Sequence, residues 1–212
     1  SRQRAAQADA LAREQTGEGQ HVDTSLYEAG MALGVYEAAY HFATDEVPPR
    51  LGQRHRGSAP YQIFKTKDGY VTVGGAAQKF WSITCNVLGC PELIDDPRFA
   101  AKADRVKNNV ELVDILETYF AKETTDHWFQ ALDAQGVPAG PVQDHKEALS
   151  DPQALARDMV VKVNHPTAGE TKTLGVHIKL SDTPGAVRRP APRHGEHTEE
   201  IIADLAKRKA AE

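Results

Sequence analysis

A single β-like run, His21-Val22-Asp23-Thr24-Ser25-Leu26, has no nearby strand to pair with, and this limits the folds open to the chain more than any other feature. It follows a charged, Ala-rich helix candidate from Ser1 to Gln15 and the breaker stretch Thr16-Gly17-Glu18-Gly19-Gln20. One strand can neither satisfy its own backbone groups nor bury its apolar side chains. The next strand candidate begins only at Tyr61, beyond a long apolar helix. The chain is therefore expected to open in mid-fold, with the partners of this strand on other polypeptide and part of any site missing.

From Ser25 to Thr44 the residues Leu26, Ala29, Met31, Leu33, Val35, Tyr36, Ala39, Tyr40 and Phe42 make one helix candidate that is apolar nearly all round, which suits an interior or an interface. Pro48-Pro49 ends it, and Arg50 to Pro60, with Arg50, Arg54, His55 and Arg56, reads as a basic linker. Tyr61-Gln62-Ile63-Phe64 and Tyr70-Val71-Thr72-Val73 flank Lys65-Thr66-Lys67-Asp68-Gly69, a hairpin signal with Asp-Gly at its turn. Helices are predicted at Gln78 to Leu88 before Gly89, at about Asp104 to Ala121, and at Asp126 to Ala134 before Gly136. Gly136-Val137-Pro138-Ala139-Gly140-Pro141-Val142 is too rich in Gly and Pro for a helix or a central strand. Asp151-Pro152 opens a short helix, with the acid as cap and the proline at the first position. Met159 to Val163 and Val176 to Leu180 are predicted strands with His165-Pro166-Thr167-Ala168-Gly169 as a turn, and a final helix starts at Thr198.

With 212 residues, 40% of them hydrophobic, the chain can bury a core in one or two domains. A net charge of −5 argues against a general nucleic-acid surface. No apolar run reaches the roughly 20 residues that span a bilayer, so no membrane partner is expected. Cys85 and Cys90 lack the two-residue gap of a redox or zinc pair and are expected to be reduced and packed, as in a cytoplasmic protein. His194 and His197 fall on a predicted loop with no third ligand at a suggestive spacing, so no metal site is predicted.

Two features could carry chemistry. Gly74-Gly75 sits between a strand and a helix, where it is either a tight turn or a loop whose N–H groups approach a ligand. Arg50 and Arg54, with His55 and Arg56, either meet the phosphates of a nucleotide-like cofactor or keep an interdomain crossing solvated.

Several stretches taken together resemble the family III CoA-transferases, the CaiB/BaiF group. They are Arg13 to Gln20 running into Val22-Asp23-Thr24-Ser25-Leu26, Pro48-Pro49-Arg50-Leu51-Gly52, Ala59-Pro60-Tyr61 and Asp95-Asp96-Pro97-Arg98-Phe99. Gly136 to Val142, His165 to Gly169 and Gly195-Glu196-His197-Thr198 complete the set, in the family's order. The resemblance implies an α/β fold: a Rossmann-like large domain built from both ends of a longer chain, a small α/β domain inserted between, and an interlocked homodimer. On that scheme residues 1–47 end the first part of the large domain, 48–56 link, 57–167 form the small domain and 168–212 return to the large one.

It implies coenzyme A and acyl-CoA as substrates with a free carboxylic acid as acceptor, no metal, and an aspartyl-CoA intermediate. The aspartate it implies precedes Thr16-Gly17-Glu18-Gly19-Gln20 by about one long helix; Asp9 is too close, so no catalytic residue is assigned in this chain. The glycine-rich loop that covers the acyl intermediate falls on Gly74 and Gly75, with Gln78 beside it, and Ala76 and Ala77 stand where richer versions have further glycines. Two other readings stay open at this point: an α-methylacyl-CoA racemase, and a non-catalytic piece that acts by assembly.

Overall fold

The structure, a computed structural model, describes residues 2–209. It divides into two compact units, Ser1–Gly57 and Ser58–Glu212.

In the first unit, α1 (Arg2–Thr16) stops at Gly17, which takes a positive φ of 77°. The expected strand at His21–Leu26 does not form: residues 18–25 have no regular structure, because the backbone has no second strand to bond to. Ser25 instead caps α2 (Leu26–Leu33), accepting from Glu28 N at 3.1 Å while Glu28 Oε2 accepts from Ser25 N at 3.2 Å. The helix expected over Ser25–Thr44 is two helices. Gly34 N–H turns back to Met31 O at 3.0 Å and separates α2 from α3 (Val35–Thr44), at the residue that helices tolerate worst apart from proline. No residue of either helix is buried, and Leu26, Leu33 and Phe42 are more than four-fifths exposed, at 88%, 88% and 83%.

The second unit is built on the predicted hairpin. Strands β1 (Gln62–Lys65) and β2 (Tyr70–Val73) pair antiparallel, Gln62 opposite Val73 and Lys65 opposite Tyr70. Val71 and Val73 point into the core and Tyr70 and Thr72 out, the two-residue period of a sheet with one covered face. Helices α4 (Gln78–Leu88), α5 (Lys102–Lys107), α6 (Asn109–Phe120) and α7 (Thr125–Asp133) follow. The Gly- and Pro-rich segment supplies β3 (Ala139–Pro141), an edge strand on β2, where Pro138 and Pro141 cost little.

The helix expected from Asp104 to Ala121 is broken at Asn108, whose side-chain amide donates to Arg98 O at 2.9 Å. In the core, Phe64 of β1 stacks on Phe120 of α6 with ring centres 4.5 Å apart. Phe120 in turn meets the edge of Trp128 of α7, whose indole N–H donates to Phe120 O at 2.8 Å. The turn carboxylate of Asp68 accepts from Thr125 N at 2.8 Å and Thr125 Oγ1 at 3.0 Å, tying the hairpin to the start of α7.

Beyond the core, α8 (His145–Ser150) and α9 (Pro152–Ala156) begin on the caps Asp144 and Asp151. Strands β4 (Val160–His165) and β5 (Gly169–Leu174) then form a second hairpin, with Val160 opposite Leu174. The expected strand at Val176–Leu180 is not one; the chain pairs immediately after the turn, where loop closure is shortest. The His165–Gly169 turn is as expected, held by His165 Nδ1 accepting from Thr167 N and Ala168 N. α10 (Thr198–Lys209) ends the description. Among the described residues no helix is long and apolar enough to cross a membrane.

Candidate active-site turn

Strand β2 leaves the core at Val73 and reaches α4 in four residues, Gly74 to Ala77. Two of them leave little or no room for a side chain. A methyl on Gly75 would sit 2.9 Å from Thr84 Oγ1 and 3.2 Å from Pro60 Cγ, and one on Gly74 would sit 3.1 Å from Pro138 Cβ. Real Cβ atoms do not make the first of these contacts. The pair is therefore a close-packed turn at its inner end. Gly74 also spends its N–H on Pro138 O at 2.7 Å, so donors from the turn to any ligand lie further along it. Gly75 and Ala76 are buried, whereas Ala77 and Gln78 are exposed.

What holds the outer end is a residue that sequence reasoning missed. Arg105, on α5, is fully buried. Its Nε donates to Ala59 O at 3.0 Å and its Nη2 to Ala76 O at 3.0 Å. Its Nη1 serves Phe99 O at 2.9 Å, Ala100 O at 3.0 Å and the Gln78 side-chain carbonyl at 3.1 Å. The guanidinium carbon lies 5.1 Å from the centre of the Trp81 ring. Every acceptor is neutral, and among the described residues no carboxylate pairs with it. Burial pulls its pKa down, opposed in part by the Asp104 carboxylate, but a guanidinium starts high enough to stay charged. In the sequence Arg105 sits between Asp104 and Val106 like any helix-surface arginine. The available signal was its place one turn before the apolar stripe of α6, and that does not separate a buried cation from an exposed one.

Gln78, the first residue of α4, is clamped from both sides: its carbonyl takes Arg105 and its amide donates to Ala100 O at 3.0 Å. No side chain caps α4, since Ala77 in the capping position has none to offer. Arg105 thus ties Ala76 and Gln78, the residues that follow Gly74 and Gly75, to the segments before β1 and α5. Arg50 and Arg54 belong to the first unit; Arg50 is exposed, and Arg54 Nε donates to Leu51 O at 3.3 Å. Arg56 is committed to Glu37 at 2.5 Å and lies over the Tyr40 ring at 4.5 Å.

Cys85 and Cys90 are both fully buried and unpaired by any disulfide. The hydrogen bond with Cys90, then burial, pushes the Cys85 thiol well up, so it offers no thiolate to chemistry. His127 is an exposed helix residue with its ring against the edge of Trp128.

The family model described as CoA-transferase family III matches residues 3–198. Succinyl-CoA:glutarate CoA-transferase of Mus musculus is 34% identical over 198 residues, 93% of this chain and 45% of that protein. Succinyl-CoA–D-citramalate CoA-transferase of Chloroflexus aurantiacus is 36% identical over 194 residues, 91% of this chain and 48% of that one. Among solved structures, a CAIB/BAIF family protein from Brucella suis superposes with a TM-score of 0.80 at 30% identity, covering 95% of this chain and 52% of that one. The chain spans about half the length of the curated relatives it matches.

Proposed function

The chain belongs to CoA-transferase family III, and from that premise we propose that the protein carrying it moves CoA between an acyl-CoA thioester and a free carboxylic acid. The observation that carries this reading is the family match over nearly the whole chain, with relatives named for that exchange across different acids. An aspartate outside this chain attacks the thioester carbonyl and expels CoA thiolate, leaving a mixed anhydride. The thiolate then attacks the aspartyl carbonyl of that anhydride, giving aspartyl-CoA and releasing the first acid. The acceptor carboxylate attacks aspartyl-CoA and expels the thiolate again. The thiolate returns to the acceptor's acyl carbon, forming the new thioester and restoring the aspartate.

The covalent intermediates, two mixed anhydrides and aspartyl-CoA, hydrolyse readily, so a cover that excludes water and offers N–H groups to the oxyanion serves the exchange. In this reading that cover is the Gly74–Gln78 turn, with Gly74 and Gly75 as its packed hinge and Ala77 and Gln78 at its open end. Arg50 and Arg54 meet the phosphates of CoA, and the catalyst is a homodimer. No metal is required by any step.

Incubating the protein with succinyl-CoA and a panel of dicarboxylic acids tests the reading, because a transferase makes a second thioester. Exchange of the α-proton without a second thioester identifies a racemase instead and sinks the proposal. Arg50→Ala is expected to raise KM for the CoA thioester severalfold, roughly the worth of one exposed phosphate contact, and to leave kcat alone.

A further inference from the structure

We propose that Arg105 is a positioning residue for this exchange: its guanidinium fixes and polarises the Ala76–Ala77 peptide and sets the Gln78 amide at the open end of the glycine turn. The inference rests on the reading of that turn as the cover of the acyl intermediate.

A buried arginine ordinarily faces a carboxylate, because desolvating a lone cation is costly. Here the guanidinium is buried among four main-chain carbonyls and one side-chain amide, all neutral. Among the described residues no carboxylate bonds to it, and Asp104 acts on its charge only through space, so its direct partners are the turn and the segments that brace it. Packing alone does not call for this, since an apolar side chain of similar volume fills a core at less cost.

The acceptors share one property: each lies on the turn or on the two segments that brace it. Ala76 and Gln78 are the turn itself, Phe99 and Ala100 precede α5, and Ala59 precedes β1. Holding the Ala76 carbonyl makes the N–H on the other side of the same peptide, that of Ala77, a stronger donor. Ala77 is exposed and Arg105 is not, so the charge acts from behind the surface where salt screens it little. Lysine could supply the charge but not the fork that reaches three segments at once.

The test uses the full-length protein that carries this chain and two variants. Arg105→Lys is expected to lower kcat roughly ten- to a hundredfold, the cost of a displaced but present group, with KM for acyl-CoA nearly unchanged. The fraction of acyl-CoA lost to water rather than transferred rises with it. Gln78→Glu, at an exposed position, gives up the bond to Ala100 O, sets a carboxylate against Nη1 and draws the guanidinium off the carbonyls. Its kcat is expected to fall severalfold or more through the neutral range, where the guanidinium beside it keeps the new carboxyl ionised, and the share of acyl-CoA lost to water to rise. Wild-type kcat in folded Arg105→Lys overturns the proposal. So does a Gln78→Glu variant with wild-type kcat and an unchanged ratio of transfer to hydrolysis, and this arm decides the matter if Arg105→Lys does not fold.

Failure of the underlying reading shows elsewhere. The double variant Gly75→Ala with Thr84→Ala would then keep the wild-type ratio of transfer to hydrolysis. If the double variant shifts that ratio while neither Arg105 test moves, the cover stands and the role of Arg105 in it falls.

Discussion

Gly75 is small because Thr84 and Pro60 leave no room for a Cβ. Gly75→Ala is therefore expected to destabilise the fold by about 1–3 kcal/mol, the usual cost of overpacking. Thr84→Ala should recover part of that loss, and urea midpoints of the single and double variants check it. A double variant no more stable than Gly75→Ala alone would place the strain elsewhere. Asp68 makes a second prediction. The Thr125 N–H, then its hydroxyl, hold the Asp68 carboxyl below its ordinary range. Its folded pKa thus lies below its unfolded one, so the bond stabilises the fold above the usual carboxylate range and is lost as pH falls through that range and below. Asp68→Asn should narrow the difference between urea midpoints at neutral and acid pH, and an unchanged difference counts against this anchor. Asp68 was legible as a turn residue from Asp-Gly, but its second role was not, since Thr125 is far along the chain.

Helix ends and turns were the most legible elements, because their chemistry is local. Asp151 with Pro152 and Gly89 after α4 act within a few residues of the boundary they set, whereas Ser25, expected in a strand, turned out to cap α2. Breaks inside long apolar patterns were harder. Gly34 and Asn108 each divide a helix that periodicity carries straight through, and Asn108 does so by bonding to Arg98 in a loop that the helical pattern does not contain. Strand partners were harder still: β5 is mostly polar, and the more apolar run at Val176 to Leu180 lost to it because Gly169 closes the chain on its nearest neighbour. At this scale the junction of β1, α6 and α7 holds the second unit together through Phe120. Phe120→Ala is expected to cost about 3–5 kcal/mol, as read from thermal or denaturant unfolding, and a loss near that of a surface substitution would show the junction carries little.

Across the second unit, one core encloses both thiols with the aromatic junction and the base of the glycine turn. Neither Cys85 nor Cys90 should react with a small aromatic disulfide in the folded protein, and both should react in denaturant; reaction of either in the native state would mean that this part of the core opens on its own. The first unit stands in contrast, with the apolar side chains of α2 and α3 uncovered. Read alone, the residues determined the first hairpin, most helix positions, the Asp151 cap and the family, because each depends on spacing along the chain or on short motifs in order. Tertiary structure alone decided which arginine bonds to the turn. Arg50 and Arg54 stand out in the sequence as a charge run, yet Arg105 is the one enclosed by carbonyls. Burial and hydrogen-bond partners come from segments that meet only when β1, the turn and α5 converge, and no local pattern records that meeting.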